Sequence, residues 1–596
     1  MGDGADSVGR LRAAPQVLPG IAGSPGLAIG PALVLDTRRP GVVHRRVAKH
    51  QAQEELRRFD AAVELASQAL LDAAERLRSG ATKAETSIIE AYVMMVRDET
   101  LREDVERRIC IDRQCAEWAV DEAVREMSDQ LAGATDPYLA ERSHDIEFVG
   151  DRLLRALAGH HGGVPIPELR EPVVIVAHDL SPAETAGLSR EHVRALVTEV
   201  GTRTCHTAIL ARSLEIPAVV GVPGLLSKVG SGDQVIIDGM RGTVTLSPTQ
   251  EMLELADRRA ARHVALSREL REHADEPAVT RCGTRIHLRA NIELPSEASL
   301  VLIEGAEGIG LYRTEFLFTD RAEAPDEDEQ FEVYRSVLEA VAPHPVTLRT
   351  FDLGGDKFAA VFGTREEHNP SLGVRAVRLG LAHPETFMPQ LRALLRAAAF
   401  GSLRILIPMV SAIWELRAVR ELLARAEAEL DRRGVKHASA VPVGVMVEVP
   451  STAIMADVFA KEADFFSIGT NDLVQYTLAV DRASHELAQL ATPFDPSVLR
   501  LIDIVVRAAS LRCLPVAVCG AMSNDPLAAV LLVGLGLREL SMESSAIPEV
   551  KEAIGRVELR EAQEVASSAL RSATAEEVEH LLAEAFAPRF ADLFGD

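Results

Sequence analysis

Hydrophobic positions change period several times along the chain, and each change marks an element. After a polar, loose start, Ile21-Ala22-Gly23-Ser24-Pro25-Gly26-Leu27-Ala28-Ile29-Gly30 reads as strand and turn. From about Val47 the apolar residues Leu56, Phe59, Val63, Ala66, Leu70 and Leu77 recur at steps of three, four and seven, and helical pattern persists to about Ala158. Strand-like runs return at Pro172–Ala177, Ala195–Thr198 and Gln234–Asp238, so the pattern predicts an α/β domain interrupted by a helical insert. A charged helix from about Gln250 to His273 reads as a solvated linker.

Beyond Arg281 short apolar runs alternate with longer helical segments. The runs are Arg285–Asn291, Gly308–Thr314, Val346–Asp352, Arg404–Met409, Val443–Val449, Phe465–Gly469, Pro515–Cys519 and Leu537–Met542. Eight βα units predict a closed (β/α)₈ barrel with its active site at the C-terminal ends of the strands. Arg313, Arg349, Glu448, Asp472 and Cys519 all fall at or just past those ends. The expected organisation is an α/β multidomain chain. It comprises a disordered extension (1–20), a discontinuous α/β domain (21–47 and 159–249), a helical subdomain (48–158), a linker helix (250–280) and the barrel (281–596).

Composition narrows the function classes. A chain of 596 residues with 47% apolar content is long enough for several packed domains. The net charge of −25 argues against nonspecific binding to nucleic acid or anionic membranes and favours a basic protein partner. No apolar run reaches membrane-spanning length; the longest, around Ala528 to Leu537, contains glycines and reads as a buried helix. Asp3 and Asp6 replace the basic start and apolar core of a secretory signal, so a cytoplasmic protein is expected. Six scattered cysteines without a CxxC pair read as free thiols. His160-His161 lacks neighbouring ligands for a metal, the acidic stretch Glu323 to Glu329 reads as a solvated loop and helix start, and Met94 and Met95 read as core.

The segment Gly201-Thr202-Arg203-Thr204-Cys205-His206-Thr207 runs directly into Ala208-Ile209-Leu210-Ala211-Arg212-Ser213-Leu214. Such a turn delivers His206 to the start of an apolar helix, where free N–H groups and the helix dipole favour an anion. The dipole keeps the imidazole neutral and nucleophilic, then stabilises a phosphoryl group it has accepted. A histidine in a Thr-rich turn also serves as a cap or packing residue, so these residues alone leave both readings open.

With its continuation Leu214-Glu215-Ile216-Pro217-Ala218-Val219-Val220-Gly221, this segment resembles the phosphohistidine motif of enzymes that use phosphoenolpyruvate, specifically enzyme I of the bacterial sugar phosphotransferase system. Thr202 stands where that family has a second glycine, and Cys205 where it has a serine, as in the related phosphoenolpyruvate synthases. Leu311-Tyr312-Arg313-Thr314-Glu315-Phe316 resembles the enzyme I signature after the second barrel strand, and the interrupted first domain is a further resemblance.

Phosphoenolpyruvate carries a phosphate and a carboxylate, and guanidinium groups offer planar, permanently charged forks to both. Arg313, Arg349 and Arg375 are the candidates, and the resemblance adds Arg482, Lys357 and Asn471 to the substrate contacts. Glu448 in Val445-Met446-Val447-Glu448-Val449-Pro450 and Asp472 in Gly469-Thr470-Asn471-Asp472 supply the hard oxygen ligands that magnesium requires, with a pair of helix caps as the alternative. Cys519 in Ala517-Val518-Cys519-Gly520 is placed to protonate the enolate of pyruvate; a small apolar filler is the alternative. The family continues with glutamate after Cys-Gly, whereas this chain has Ala521.

The resemblance implies a phosphoenolpyruvate-protein phosphotransferase that phosphorylates its own His206 and passes the group to a histidine of HPr or a homologous carrier, initiating the sugar phosphotransferase cascade. It implies a mobile first domain, carrier docking on the helical insert with Arg142 contributing, Ser181 near the phosphohistidine, and a homodimer through the barrel, to which Leu527–Leu537 offers apolar material that core packing explains equally well. Arg97 stands where relatives often carry an acid. The rival readings are a phosphoenolpyruvate synthase or pyruvate phosphate dikinase, which needs a nucleotide-binding module, and a catalytically silent carrier-binding regulator.

Overall fold

The computed structural model describes residues 15–24, 26–35, 42–77, 92–132, 137–158, 171–180, 192–201, 206–213, 216–318, 324–353, 369–480, 487, 490–590 and 593. The chain divides into two compact units, Met1–Val264 and Ala265–Asp596.

The first unit holds one eight-stranded sheet: β1 Gln16–Pro19, β2 Ile21–Ser24, β3 Leu27–Leu35, β4 Val173–Ala177, β5 Val193–Thr198, β6 Ala218–Val220, β7 Gln234–Asp238 and β8 Thr243–Leu246. Their order is β1-β8-β7-β3-β4-β5-β6-β2. The run β3-β4-β5-β6 is parallel, and its central strands are β-branched and covered on both faces: Val174, Ile175, Val176, Leu196 and Val197 are all buried. Strand β1 lies inside the stretch expected to be a disordered extension, which corrects that reading for residues 16–19. Leu18 alone turns inward while Gln16, Val17 and Pro19 stay exposed, as the segment pairs with β8 at the sheet edge.

Between β3 and β4 the chain forms the helices Ala52–Leu77, Glu99–Cys110, Ala116–Ala132 and Pro137–Leu157. They enclose a core of their own, with Phe59, Leu70, Leu101, Val105, Val120, Val124, Val149 and Leu153 buried. Gly150 permits the close approach of two of them, since a Cβ there would stand 2.6 Å from Val124. The second of these helices starts where Asp98 caps it, accepting from the Thr100 and Leu101 N–H groups at 2.9 and 3.0 Å. Met95 packs against this core, but Met94 is exposed, contrary to the expectation that both are core.

In the second unit a short β9 (Ala278–Val279) precedes β10 Arg285–Ile292, β11 Ile309–Arg313, β12 Val346–Arg349, β13 Leu403–Ile407, β14 Val443–Val447, β15 Phe466–Ile468, β16 Val516–Val518 and β17 Glu539–Glu543. Each of β10 to β17 pairs in parallel with the next, and β17 pairs with β10, closing the eight-stranded barrel. Several strands end earlier than the hydrophobic pattern suggested. In β14 the reason is Pro450, which opens the helix Pro450–Ile454 at its first position and leaves Glu448 and Val449 as the turn. Alternation along β14 sends Val443, Val445 and Val447 toward the surrounding helices, while Met446 joins Leu311, Leu406, Phe465 and Cys519 in a separate interior cluster.

Two expectations about the barrel's periphery change. The helix Pro526–Gly534 is buried on nearly all sides, packed beneath the helix Leu559–Ala569, so its apolar residues are core of this one chain and not surface for a partner. Within the acidic stretch, Glu327 begins the helix Glu327–Ala340 but is not solvated: its carboxylate takes Arg392 at 2.5 Å, Arg396 at 2.7 Å and Arg433 at 2.9 Å. Burial opposes ionisation there, yet Arg433, Arg392 and Arg396 together hold the carboxyl down at about 2. The stability this contributes is present above the ordinary value of 4.5 and is lost as pH falls through the folded value. Glu327→Gln is therefore expected to lower the unfolding free energy by about 2–3 kcal/mol at pH 7, with the difference from the parent narrowing between about pH 4.5 and pH 2 in chemical denaturation.

Candidate active site

The described sequence-nominated residues of the second unit, Arg313, Arg349, Arg375, Glu448, Asn471, Asp472 and Cys519, lie at or beyond the C-terminal ends of the barrel strands. Arg349 ends β12 and is buried. Its guanidinium donates to Glu315 at 2.9 Å and pairs with Asp352 at 3.3 Å. Arg375 meets the same Asp352 through Nε at 3.0 Å and Nη2 at 2.9 Å, and donates to the Tyr476 hydroxyl at 3.3 Å. Burial by itself would disfavour both charges, but the surrounding carboxylates raise both guanidiniums above their ordinary value. Arg313, at the end of β11, pairs with Glu293.

Glu448 is fully buried just past β14. One oxygen accepts the Met409 N–H at 2.6 Å, from a residue held in the left-handed region at φ 56°. Its other oxygen, Oε2, is buried with no hydrogen-bond partner among the described residues. Burial, then Asp472, then Asp352, push its pKa well above the ordinary carboxylate value, and Arg349 only partly offsets them. Asp472 sits in the first turn of the helix Thr470–Leu478 that follows β15. Gly469 keeps the space beside Glu448 clear, since a Cβ there would lie 2.9 Å from Glu448 Oε2 and 2.5 Å from Met446 Cε. A buried carboxylate oxygen lacking a donor, beside further acids, suits a hard cation. Among the described residues no group of three or more His, Cys, Asp or Glu side chains is placed to hold a metal ion.

Cys519 follows β16 with its thiol 3.7 Å from the Ile468 carbonyl. Burial pushes its pKa up to about 11, only partly countered by the neighbouring Ser467, so the group is a protonated thiol at neutral pH. Asn471 Oδ1 accepts the Ala521 N–H at 3.0 Å, tying the thiol's loop to the helix that carries Asp472. Among the described residues Cys110, Cys115, Cys282, Cys513 and Cys519 are free thiols.

In the first unit, His206 opens the helix His206–Ser213, whose Ala208 and Ala211 are buried and whose Thr207 hydroxyl donates to the Leu180 carbonyl at 3.4 Å. The His206 side chain lies outside the described residues, as do Ser181, Lys357, Arg482 and the side chain of Arg142 on Pro137–Leu157. Close by, His178 Nδ1 and Glu199 Oε2 are 2.9 Å apart beyond the ends of β4 and β5. Arg97 donates to Ser67 at 3.1 Å on the helical insert.

The sequence reading missed the carboxylates that hold the arginines. Only Asp352 has a local signal, following Arg349 by three residues; Glu315 follows Arg313 by two but holds Arg349 on the next strand. Glu293 and Tyr476 have no such signal, because they meet their arginines only when the barrel closes.

Three models of phosphoenolpyruvate-utilising enzymes match the chain: the N-terminal domain over residues 19–142, the mobile domain over 169–242 and the phosphoenolpyruvate-binding domain over 267–559. The chain is 40% identical over 563 residues to the phosphoenolpyruvate-protein phosphotransferase of Bacillus sp. (strain S), covering 94% of this chain and 97% of that protein. It is 41% identical to that of Geobacillus stearothermophilus over the same shares. Among solved structures it is similar to an NMR structure of Enzyme I, at 35% identity, covering 41% of this chain and 98% of that one with a TM-score of 0.36. The chain belongs to the phosphoenolpyruvate-protein phosphotransferase family and is an enzyme. Among the described residues no helix is long and apolar enough to cross a membrane.

Because a methyl group at position 469 would displace Glu448 Oε2, Gly469→Ala is expected to cut the rate of phosphoenolpyruvate consumption by on the order of 10²-fold. The far-UV circular dichroism spectrum should be unchanged, since the added group meets side-chain atoms only.

Proposed function

We propose that the enzyme transfers the phosphoryl group of phosphoenolpyruvate to His206 and from there to a histidine of an HPr-type carrier protein. The observation that carries this reading is the convergence of Arg349 and Arg375 on Asp352, with Glu448 Oε2 buried and without a hydrogen-bond partner among the described residues, which together offer fixed positive forks and a place for a cation. Arg349, Arg375 and Arg313 bind the phosphate and carboxylate of the substrate, assisted by Asn471, Lys357 and Arg482. Glu448 and Asp472 hold Mg²⁺, which when bound neutralises charge developing on the phosphoryl oxygens.

His206 attacks phosphorus as its bond to the enol oxygen breaks, leaving the enolate of pyruvate. Cys519 then gives its proton to the methylene carbon: the carbon–hydrogen bond forms from the enolate π pair while the S–H bond breaks, and solvent returns a proton to the thiolate. Burial suits the thiol to this task, since a group that keeps its proton at neutral pH is an available acid. Ser181 supports the phosphohistidine, and the helical insert, including Arg142, receives the carrier. The domain division proposed from the sequence assigns histidine chemistry to residues 21–47 and 159–249 and donor binding to 281–596.

The barrel associates as a homodimer. Trp414, Ile454 and Met455 are exposed at its mouth, and the Ser451 hydroxyl, donating to the Ser411 carbonyl at 3.1 Å, brings the two segments carrying them together. An apolar patch on an otherwise charged surface favours a second copy of the chain.

Radiolabelled phosphoenolpyruvate with Mg²⁺ should deposit acid-labile phosphate on His206, and ATP should not substitute; mapping of the label to another residue would overturn the reading. Glu448→Gln should lower labelling by on the order of 10³-fold while the protein stays folded. Ile454→Asp should shift sedimentation from dimer to monomer at micromolar concentration, and a variant that sediments as the parent does would exclude this patch.

A further inference from the structure

The chemistry assigned to Cys519 demands that its thiol approach one face of a planar enolate, and the backbone on either side is anchored, the Cys519 N–H donating to the Ile468 carbonyl at 3.0 Å and the Ala521 N–H to Asn471 Oδ1 at 3.0 Å, which leaves the peptide between them to be fixed. Gly520 follows directly, and only glycine fits there, because a Cβ would lie 1.8 Å from Thr470 Oγ1. Glycine imposes little restraint of its own on the peptide that joins it to Cys519. Where the family resemblance places a glutamate, this chain has Ala521, whose side chain offers no hydrogen bond. Something else must fix the plane of the Cys519–Gly520 peptide.

That restraint comes from the other side of the barrel seam. Asn291 lies near the end of β10, and its Nδ2 donates to the Cys519 carbonyl at 3.0 Å and reaches the Ser541 carbonyl at 3.5 Å. Strand β17, which carries Ser541, lies between β10 and β16, so the asparagine spans it. The Ser541 hydroxyl donates to Asn291 Oδ1 at 2.6 Å. Two carbonyls on one side of the amide and a hydroxyl on the other fix its orientation, since only the NH₂ end can serve carbonyl oxygens. Ser541 is fully buried, and Gly310 makes room for it: a Cβ at 310 would stand 2.3 Å from the Ser541 hydroxyl oxygen.

We infer that Asn291, oriented by Ser541, is the positioning residue that aims the Cys519 thiol at one face of the enolate. It touches no reacting atom; it holds the carbonyl of the residue that does. The inference rests on the reading of Cys519 as proton donor, so its test must separate the two.

Full-length enzyme is given a 3-methyl analogue of phosphoenolpyruvate, phosphoenolbutyrate, in D₂O with Mg²⁺ and carrier protein. The 2-oxobutyrate is trapped by reduction, and the configuration of deuterium at C3 is read by NMR. Asn291→Asp keeps an acceptor for Ser541 but presents oxygen to the Cys519 carbonyl; Ser541→Ala keeps the amide but removes what orients it. Both are expected to scramble the C3 configuration and to lower kcat with phosphoenolpyruvate about 10- to 100-fold, with KM within about twofold because the arginines are untouched. A purely structural contribution to stability would not move the ratio of the two C3 configurations. If both variants deuterate one face as the parent does while Cys519→Ala loses the selectivity, the positioning inference is wrong and the proton-donor reading stands. If Cys519→Ala keeps rate and selectivity, the proton-donor reading falls and the inference falls with it.

Discussion

One carboxylate, Asp352, holds two guanidiniums at the barrel mouth, and much of the site's order depends on it. Arg349 is buried and Arg375 nearly so, and a buried cation without a partner would cost several kcal/mol. Asp352 is itself fixed, because its N–H donates to Glu315 at 2.7 Å, and Glu315 is the other partner of Arg349. The chain of contacts Glu315–Arg349–Asp352–Arg375 thus ties the ends of β11 and β12 to the turn before the helix Ala376–Ala382. The arginines are held in place before any ligand arrives, so binding need not pay for ordering them. With Glu448 and Asp472 added, these acids outnumber the two arginines. The raised pKa of Glu448 reports its burial first and that excess second, and the proposed magnesium would relieve the excess.

The fold was readable where burial is two-sided. Strands β4, β5 and β10 to β17 are short runs of β-branched and aliphatic residues between turn signals, and such runs have few other homes than a covered parallel sheet. Strand β1 was not readable, because Gln16-Val17-Leu18-Pro19 is an edge segment with one inward side chain and owes its state to β8, far along the chain. Strand ends were misplaced where a downstream residue decided them, as Pro450 does for β14.

The candidate site divides along the same line. Arg313, Arg349, Glu448 and Cys519 sit beside their strands in sequence, so position relative to a predicted strand end was enough to nominate them. Asn291 and Ser541 come together only because β10 closes on β17, a pairing between the first and last barrel strands. Glu327 shows the same limit for charge. Within an acidic run it is indistinguishable from its solvated neighbours until two other helices bring Arg392, Arg396 and Arg433 onto it.

The helical insert joins β3 to β4, two neighbouring strands that run parallel, so the whole insert occupies the place of a single crossover connection. A crossover normally needs only a dozen or so residues. Lengthening it to span Leu35 to Val173 adds about 2 kcal/mol of closure entropy, because that cost grows only with the logarithm of loop length. The helices recover this through a core that shares no residue with the sheet's. Folding order follows: helices that order first on their own contacts shorten the effective loop, so β3 and β4 meet across a preformed bridge and not across a long random coil.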